Sequence, residues 1–176
     1  MTVQITADAV KALREETGAG IMDCKRALTE AEGDAGKAKV ILRERGFEVA
    51  AKKAGRETSQ GLIDSYLHGG GRIGALIEVN CETDFVARSD DFKQLARELV
   101  MQVAAMNPRF LAKEDAPADI VQAEQLSADQ VEAASLLTQP YIRDPSRTIG
   151  QLITEVVAKT GENIRIRRFA RFELGK

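Results

Sequence analysis

Two apolar runs joined by a glycine-dense loop constrain this chain more than any other feature. Residues 62–67 and 73–80 read as strands, and His68-Gly69-Gly70-Gly71-Arg72 connects them. So short a connection makes the pair an antiparallel hairpin, with glycines able to take positive φ in the turn. A long amphipathic helix follows. Ser89 or Asp90 can cap it, and Phe92, Leu95, Ala96, Leu99, Val100 and Val103 form one apolar stripe before Asn107-Pro108 ends it. Near the end of the chain, residues 163–173 read as a third strand. There Ile164, Ile166, Ala170 and Phe172 alternate with Arg165, Arg167, Phe169 and Arg171. The fold class is α+β: a three-stranded antiparallel sheet core with helices packed on one face.

The segments around this core are helical or irregular. Thr6 can cap a helix carrying Val10, Leu13 and Thr17, and Thr17-Gly18-Ala19-Gly20 breaks it. A second helix places Ile21, Cys24 and Leu28 in register. Asp34 can cap a third bearing Ala38, Ile41 and Leu42, and Gly46 is expected to end it. Three helices with tight turns make an N-terminal bundle that resembles the ubiquitin-associated fold. Residues 48–60, rich in Lys, Arg and Ala, read as a short helix or linker. Residues 111–135 are acidic and Ala-rich, with two short helices. The segment Gln139-Pro140-Tyr141-Ile142-Arg143-Asp144-Pro145 reads as a loop. Ser146 is the expected cap of a last helix with Ile149, Leu152, Ile153, Val156 and Val157 apolar. The expected domains are residues 1–54, the ubiquitin-associated-like helical domain, and residues 55–176, the α+β core.

Composition narrows the function classes. Hydrophobic content of 44% and charged content of 30% describe a globular chain with a proper core. The net charge of −2 argues against direct nucleic-acid binding by bulk charge. No apolar run approaches the roughly 18 residues of a membrane span, and Met1-Thr2-Val3-Gln4-Ile5 is not a secretory signal. Cys24 and Cys81 stand far apart without a CxxC. A zinc site or disulfide framework is not expected, and a reducing cytoplasm is.

Several motifs carry chemistry on paper. Gly69-Gly70-Gly71-Arg72-Ile73-Gly74 matches the G-x-G-x-x-G of dinucleotide sites, but β-type residues follow it. Those sites need a helix there, whose N-terminus holds the pyrophosphate. His68-Gly69-Gly70-Gly71 resembles the oxyanion loop of some esterases, yet the chain has no G-x-S-x-G nucleophile. His68 is the only histidine, which limits general-base chemistry. A Cys24–His68 pair is conceivable, but Cys24 falls on an apolar helix face, where a buried structural thiol is the better reading. The arginines at 165, 167, 168 and 171 read first as a solvated strand face paired with carboxylates, and second as a docking face.

The stretch Glu78-Val79-Asn80-Cys81-Glu82-Thr83-Asp84-Phe85-Val86-Ala87-Arg88 stands apart. A β-rich run stops there, and an acidic residue and a large aromatic sit side by side before a new helix. The chain has six Phe, two Tyr and no Trp, so each aromatic needs a reason. A Phe at such a turn is often core. Asp84 and Arg88 flank Phe85, however, and the following stripe starts its own register at Phe92. The residues alone leave both readings open, core packing or a wedge into another protein.

The same stretch is similar to the most diagnostic block of the bacterial translation elongation factor Ts family, which exchanges nucleotide on elongation factor Tu. Further blocks match in the family's order across nearly the whole chain. Residues 10–28, Val10-Lys11-Ala12-Leu13-Arg14-Glu15-Glu16-Thr17-Gly18-Ala19-Gly20-Ile21-Met22-Asp23-Cys24-Lys25-Arg26-Ala27-Leu28, look like its N-terminal domain. Ala50-Ala51-Lys52-Lys53-Ala54-Gly55-Arg56 looks like its linker. Gly161-Glu162-Asn163-Ile164-Arg165-Ile166-Arg167-Arg168 and Arg171-Phe172-Glu173 resemble its closing strand.

The resemblance implies a non-enzymatic guanine nucleotide exchange factor in protein biosynthesis. It would bind GDP-bound and nucleotide-free Tu and disturb the magnesium and phosphate site. No cofactor, no metal and no catalytic residue of its own is expected. Thr83, Asp84 and Phe85 match the segment that inserts into the Tu nucleotide domain. Arg14, Ile21, Met22 and Lys25 match positions docking on that domain. His68, Ile142 and Arg143 match core positions facing another Tu domain, although the family's usual residue at the Arg143 position is apolar. Long members carry two core subdomains and this chain has one, so a homodimer through the core is expected. The segment 119–137 is too short for the family's protruding helical hairpin. The alternative function is a binding module that uses the N-terminal bundle alone, and a third is a thiol enzyme using Cys24 and His68.

Overall fold

Antiparallel pairing of the two glycine-linked runs organises the larger part of the chain. The computed structural model describes residues 5–176; the reading of Met1 to Gln4 as free of a secretory signal lies outside them. Strand β1 (Gln60–His68) pairs with β2 (Ile73–Cys81) from Gln60 opposite Cys81 to His68 opposite Ile73. Gly69, Gly70 and Gly71 turn between them with φ of 59°, 67° and 87°, values that side-chain-bearing residues avoid. Strand β5 (Ile164–Glu173) pairs antiparallel on the other edge of β2, so the sheet order is β1-β2-β5. The expected three-stranded antiparallel core of an α+β protein is present.

Helix α5 (Asp90–Met106) covers one sheet face. Its expected stripe is all buried: Phe92, Leu95, Ala96, Leu99, Val100 and Val103 pack with Ala75, Ile77, Val79 and Cys81 of β2. Burial of each large aliphatic or aromatic side chain contributes about 1.5–3 kcal/mol. The ends of α5 are local chemistry. Ser89 Oγ accepts from the Phe92 N–H at 3.3 Å, and Asn107 takes the left-handed C-cap with φ 48°. Helix α8 (Ile149–Thr160) adds Ile149, Ile153 and Val157 to the same core.

The N-terminal helices are α1 (Ala7–Thr17), α2 (Ile21–Glu30) and α3 (Ala35–Lys53). Thr6 and Asp34 cap α1 and α3 as expected. Val10, Leu13, Cys24, Ala27, Leu28, Ala31 and Ala38 form a second, smaller buried cluster. Ile21 does not join Cys24 and Leu28 in it. Ile5 and Ala19 pack on that cluster instead, and Ile21 stays 54% exposed.

Four further expectations are corrected. Gly46 does not end the third helix. It lies buried in the middle of α3, where a Cβ would sit 3.5 Å from that of Ala158 on α8. Close approach of the two helices outweighs the glycine's poor helix propensity of about 1 kcal/mol. Residues 48–53 are therefore the last turns of α3, with Ala50 reaching the larger core. The proline segment is not a simple loop. It forms a small hairpin of β3 (Pro140–Tyr141) and β4 (Asp144–Thr148), in which proline's missing donor is tolerated at the edge. Ser146 does not cap α8, because its hydroxyl donates to Asp144 Oδ1 at 2.6 Å. Thr148 caps instead, in a reciprocal box with Gln151.

The fourth correction is the alternation of β5. Ile166 pairs with Val79 but Arg168 pairs with Glu78, so Arg167 is an extra residue in a bulge. A bulge flips every later side chain to the other face. Phe169 and Arg171 turn toward the helices, while Ala170 and Phe172 turn out, with Phe172 70% exposed. Between the large helices lie α4 (Asp84–Arg88), α6 (Ala118–Ala123) and α7 (Ala128–Ala134). Among the described residues no helix is long and apolar enough to cross a membrane.

Gly61 gives a direct test of this sheet. Its φ is 149°, and a Cβ there would stand 2.1 Å from the Val79 carbonyl oxygen. Gly61→Ala is expected to lower unfolding free energy by about 2–3 kcal/mol, read as a lower urea midpoint.

Candidate functional site

The end of the central strand sets the site. Strand β2 stops at Cys81, and Thr83 opens α4 as its N-cap, with φ −124° and ψ 156°. Its hydroxyl oxygen accepts from the Val86 N–H at 3.4 Å. Val86 and Ala87 face the core and are buried. One turn of helix pinned by these two residues must send its neighbour outward. Phe85 is 81% exposed, the most exposed large apolar side chain among the described residues. Asp84 and Arg88 pair beside it at 2.9 Å, both largely in solvent. Of the two open readings, core packing or a wedge into another protein, the exposure of Phe85 excludes the first.

The turn before Phe85 is held by carboxylates. Glu162 accepts from Thr83 N at 3.0 Å and from Thr83 Oγ1 at 2.6 Å. Glu82 accepts from Asn163 N at 2.6 Å and pairs with Arg56 at 3.4 Å. The Asn163 backbone bond, helped by Arg56, holds the Glu82 carboxyl below the usual carboxylate range, against a smaller opposing effect of desolvation. Neither Glu162 nor Asn163 is marked as functional by the sequence, since their partners lie far away along the chain. The signal was their place in a family block, not their chemistry.

The second group is at the β3–β4 turn. Ile142 is 38% exposed, and its N–H donates to Gln102 Oε1 at 3.0 Å. The Gln102 amide in turn donates to Gln139 Oε1 and to the Pro140 carbonyl, at 3.2 and 3.1 Å. Arg143 reaches Glu98 at 2.9 Å, and Tyr141 donates its hydroxyl to the other Glu98 oxygen. Burial, and then the Glu98 bond, push the Tyr141 hydroxyl up to about 12. Glu98 is buried, so a charge at position 143 neutralises it. Arg143 thus has a carboxylate partner within the chain. Glu98 and Gln102, one turn apart on α5, were not legible as the supports of this turn.

The remaining predicted residues are spread out. Ile21 and Met22 stand exposed on the first turn of α2, with Lys25 exposed one turn on and Arg14 exposed in the last turn of α1. His68 ends β1, its Nδ1 sharing a 3.2 Å hydrogen bond with the Tyr66 hydroxyl. The structure does not assemble a Cys24–His68 pair. Cys24 is fully buried in the bundle, its thiol directed to the Ala19 carbonyl. Cys81 is fully buried too, directed to the Thr83 carbonyl. Burial pushes its thiol up to about 11. Arg167 and Arg168 both pair with Glu78, as the carboxylate-paired reading expected. Arg171 is tucked in, donating to the Ala104 carbonyl and to Glu173.

These features define an α+β protein that carries its candidate site on the surface: a projecting aromatic at the end of the central strand, with further exposed groups on the bundle and the core. The profile of the family described as Elongation factor TS matches residues 43–135. Elongation factor Ts of Caldanaerobacter subterraneus subsp. tengcongensis is 50% identical, over 98% of each chain. That of Thermoanaerobacter pseudethanolicus is 50% identical over 98% of this chain and 96% of its own. For Carboxydothermus hydrogenoformans the values are 49%, 98% and 90%. The chain belongs to the elongation factor Ts family, in its short form with a single core subdomain.

The Glu82 bond predicts an acid limb of stability. Its folded pKa lies below the ordinary value of 4.5. The stabilisation is therefore complete above that value and is lost as pH falls through the lower folded value. Glu82→Gln is expected to flatten this part of a urea-midpoint profile as pH falls below the ordinary carboxylate value, leaving the neutral-pH shape of the profile unchanged.

Proposed function

We propose that this protein is the guanine nucleotide exchange factor for elongation factor Tu, binding both its GDP-bound and nucleotide-free forms. It acts by binding and performs no bond chemistry. The observation that carries this reading is Phe85, 81% exposed on a helical turn that Val86 and Ala87 anchor. An aromatic held rigidly in water is free to be buried in a partner at little ordering cost. With Asp84 and Thr83 it forms the segment that inserts into the Tu nucleotide domain and disturbs the magnesium and phosphate site. Arg14, Ile21, Met22 and Lys25 dock on that same domain, and His68, Ile142 and Arg143 face another.

Magnitudes support shared work among these surfaces. An acceleration of GDP release by about ten-thousandfold corresponds to roughly 5.5 kcal/mol of differential stabilisation. Burying one Phe supplies about 1.5–3 kcal/mol. Whatever the protein takes from GDP affinity, GDP takes equally from its own. The wedge therefore works with the N-terminal bundle, residues 1–54, and with the core, residues 55–176. In this reading the bundle is ubiquitin-associated-like and the protein works in the cytoplasm. The short segment 119–137 stands in place of the family's helical hairpin.

The single core calls for a second copy. The sheet face turned from α5 exposes Ile63, Leu67, Leu76 and Phe172, with Leu174 beside them. Leu67, Gly74 and Phe172 lie in one cross-strand row, and Ser65, Leu76 and Ala170 in the next. The bordering charges, Glu78 with Arg167 and Arg168, already pair within the chain. A second copy covers such an apolar face when two sheets stack about 10 Å apart under a two-fold axis. The homodimer forms through this face.

Two experiments test the reading. Phe85→Ala is expected to slow the stimulated release of fluorescent GDP from bacterial elongation factor Tu by about ten- to hundredfold. Its melting temperature should hardly move, because the Phe85 ring lies largely in solvent. Wild-type rates from a folded Phe85→Ala protein would remove the wedge. For the dimer, Phe172→Asp should convert a dimer to a monomer by light scattering, and an unchanged mass would exclude this face.

A further inference from the structure

We infer that Glu162 and Asn163 are positioning residues that hold the Phe85 turn and tie it to the linker from the N-terminal bundle; this rests on the exchange reading above. Phe85 is 81% exposed, so packing of its own ring does little to fix its direction. Val86 and Ala87 anchor α4 by apolar packing, which resists removal but only weakly resists rotation. Hydrogen bonds supply the missing angular restraint, because they weaken steeply off axis. Glu162 accepts both Thr83 protons, from N at 3.0 Å and from Oγ1 at 2.6 Å. A hydroxyl has one proton, and with it committed to Glu162 a lone pair of Thr83 is left for the Val86 N–H. The carboxylate thus sets the rotor of the cap that starts the wedge helix.

The lock is reciprocal. Glu82, just before Thr83, accepts from the backbone of Asn163, just after Glu162. Two adjacent residues of one turn hold two adjacent residues of the other. Asn163 is 4% exposed, and its side-chain amide donates to the Ala54 and Arg56 carbonyls at 3.3 and 2.8 Å. Lys53, the last residue of α3, donates to the Gly161 carbonyl. One three-residue turn, Gly161-Glu162-Asn163, therefore bonds the end of α3, the linker and the wedge turn. A partner that grips the bundle and meets the wedge meets two parts already fixed to one another. Preorganisation of this kind raises the share of contact energy that reaches the partner.

The test is a double-mutant cycle in the full chain, read by fluorescent GDP release from bacterial elongation factor Tu over a range of protein concentrations. Glu162→Ala is expected to lower the maximal release rate about tenfold, with the half-saturating concentration changed less than about threefold. Glu162→Gln keeps one acceptor and should fall between it and wild type. In a Phe85→Ala background, Glu162→Ala should cost less than about twofold more, because it acts through the wedge. Hydrogen exchange on the free protein should show faster exchange at the Val86 amide in Glu162→Ala, with the α5 amides unchanged. A wild-type maximal rate in Glu162→Ala overturns the inference and leaves the exchange reading standing. So does a loss of equal size with and without Phe85, which would mark a general effect on the fold. If the wild-type protein itself fails to accelerate release, while folded, the exchange reading and this inference fall together.

Discussion

Strand β2 is the element on which the rest of the structure depends. Its two edges are satisfied by β1 and β5, and its inner face, Ala75, Ile77, Val79 and Cys81, lies against the stripe of α5. A strand so enclosed cannot slip, since a one-residue shift would turn its apolar set to water. Its end is therefore a fixed point in the molecule. The turn at Glu82 and Thr83 starts from that point, and so does the direction of Phe85. The position of the projecting aromatic rests on core packing together with the carboxylate bonds of that turn.

Buried carboxylates and amides do the fine work around that core. Burying a charge or an amide is costly unless each polar atom finds a partner. Glu98 meets Tyr141, Arg143 and Gln94, and Gln102 meets Gln139, Pro140 and Ile142. Glu82 and Glu162, only half-buried, accept the donors of the turn at the end of β2. At the first place side chains of α5 hold a surface turn, and at the second two turns hold one another. Loops that would otherwise vary in shape thus present their exposed residues in one geometry. The same pairing gives the charge of Arg143 a partner within the chain.

The apolar residues left outside tell the complementary story. Phe85, and on the outer sheet face Ile63, Leu67, Leu76 and Phe172, contribute little to the fold of one chain. Soluble monomers rarely leave such patches uncovered. Stability comes from the inner face of the sheet and from the small cluster under α1 to α3. The outer groups are free to serve contact with other molecules. The bulge at Arg167 belongs to this division, because it turns Phe172 outward and brings Phe169 in.

What could be read along the chain was what local chemistry decides. Thr6, Asp34 and Ser89 announce helix starts because a cap bonds to a donor three residues away. The stripe of α5 announces its buried face because its period is that of the helix. The glycine loop announces a hairpin because only glycine adopts those φ values cheaply. The exposure of Phe85 stayed open, since it depends on Val86 and Ala87 finding a core built from distant residues. Gly46 misled for the same reason: its partner, Ala158, is more than a hundred residues away. The β5 bulge, the choice of Thr148 over Ser146, and the Glu162–Thr83 and Glu98–Arg143 bonds are likewise long-range or competitive. Local order along the chain was enough for the class, the strands, most helices and the residues worth watching. Which of them face water and what holds them came from packing, because burial and hydrogen-bond partnership belong to the folded chain and not to neighbours in order.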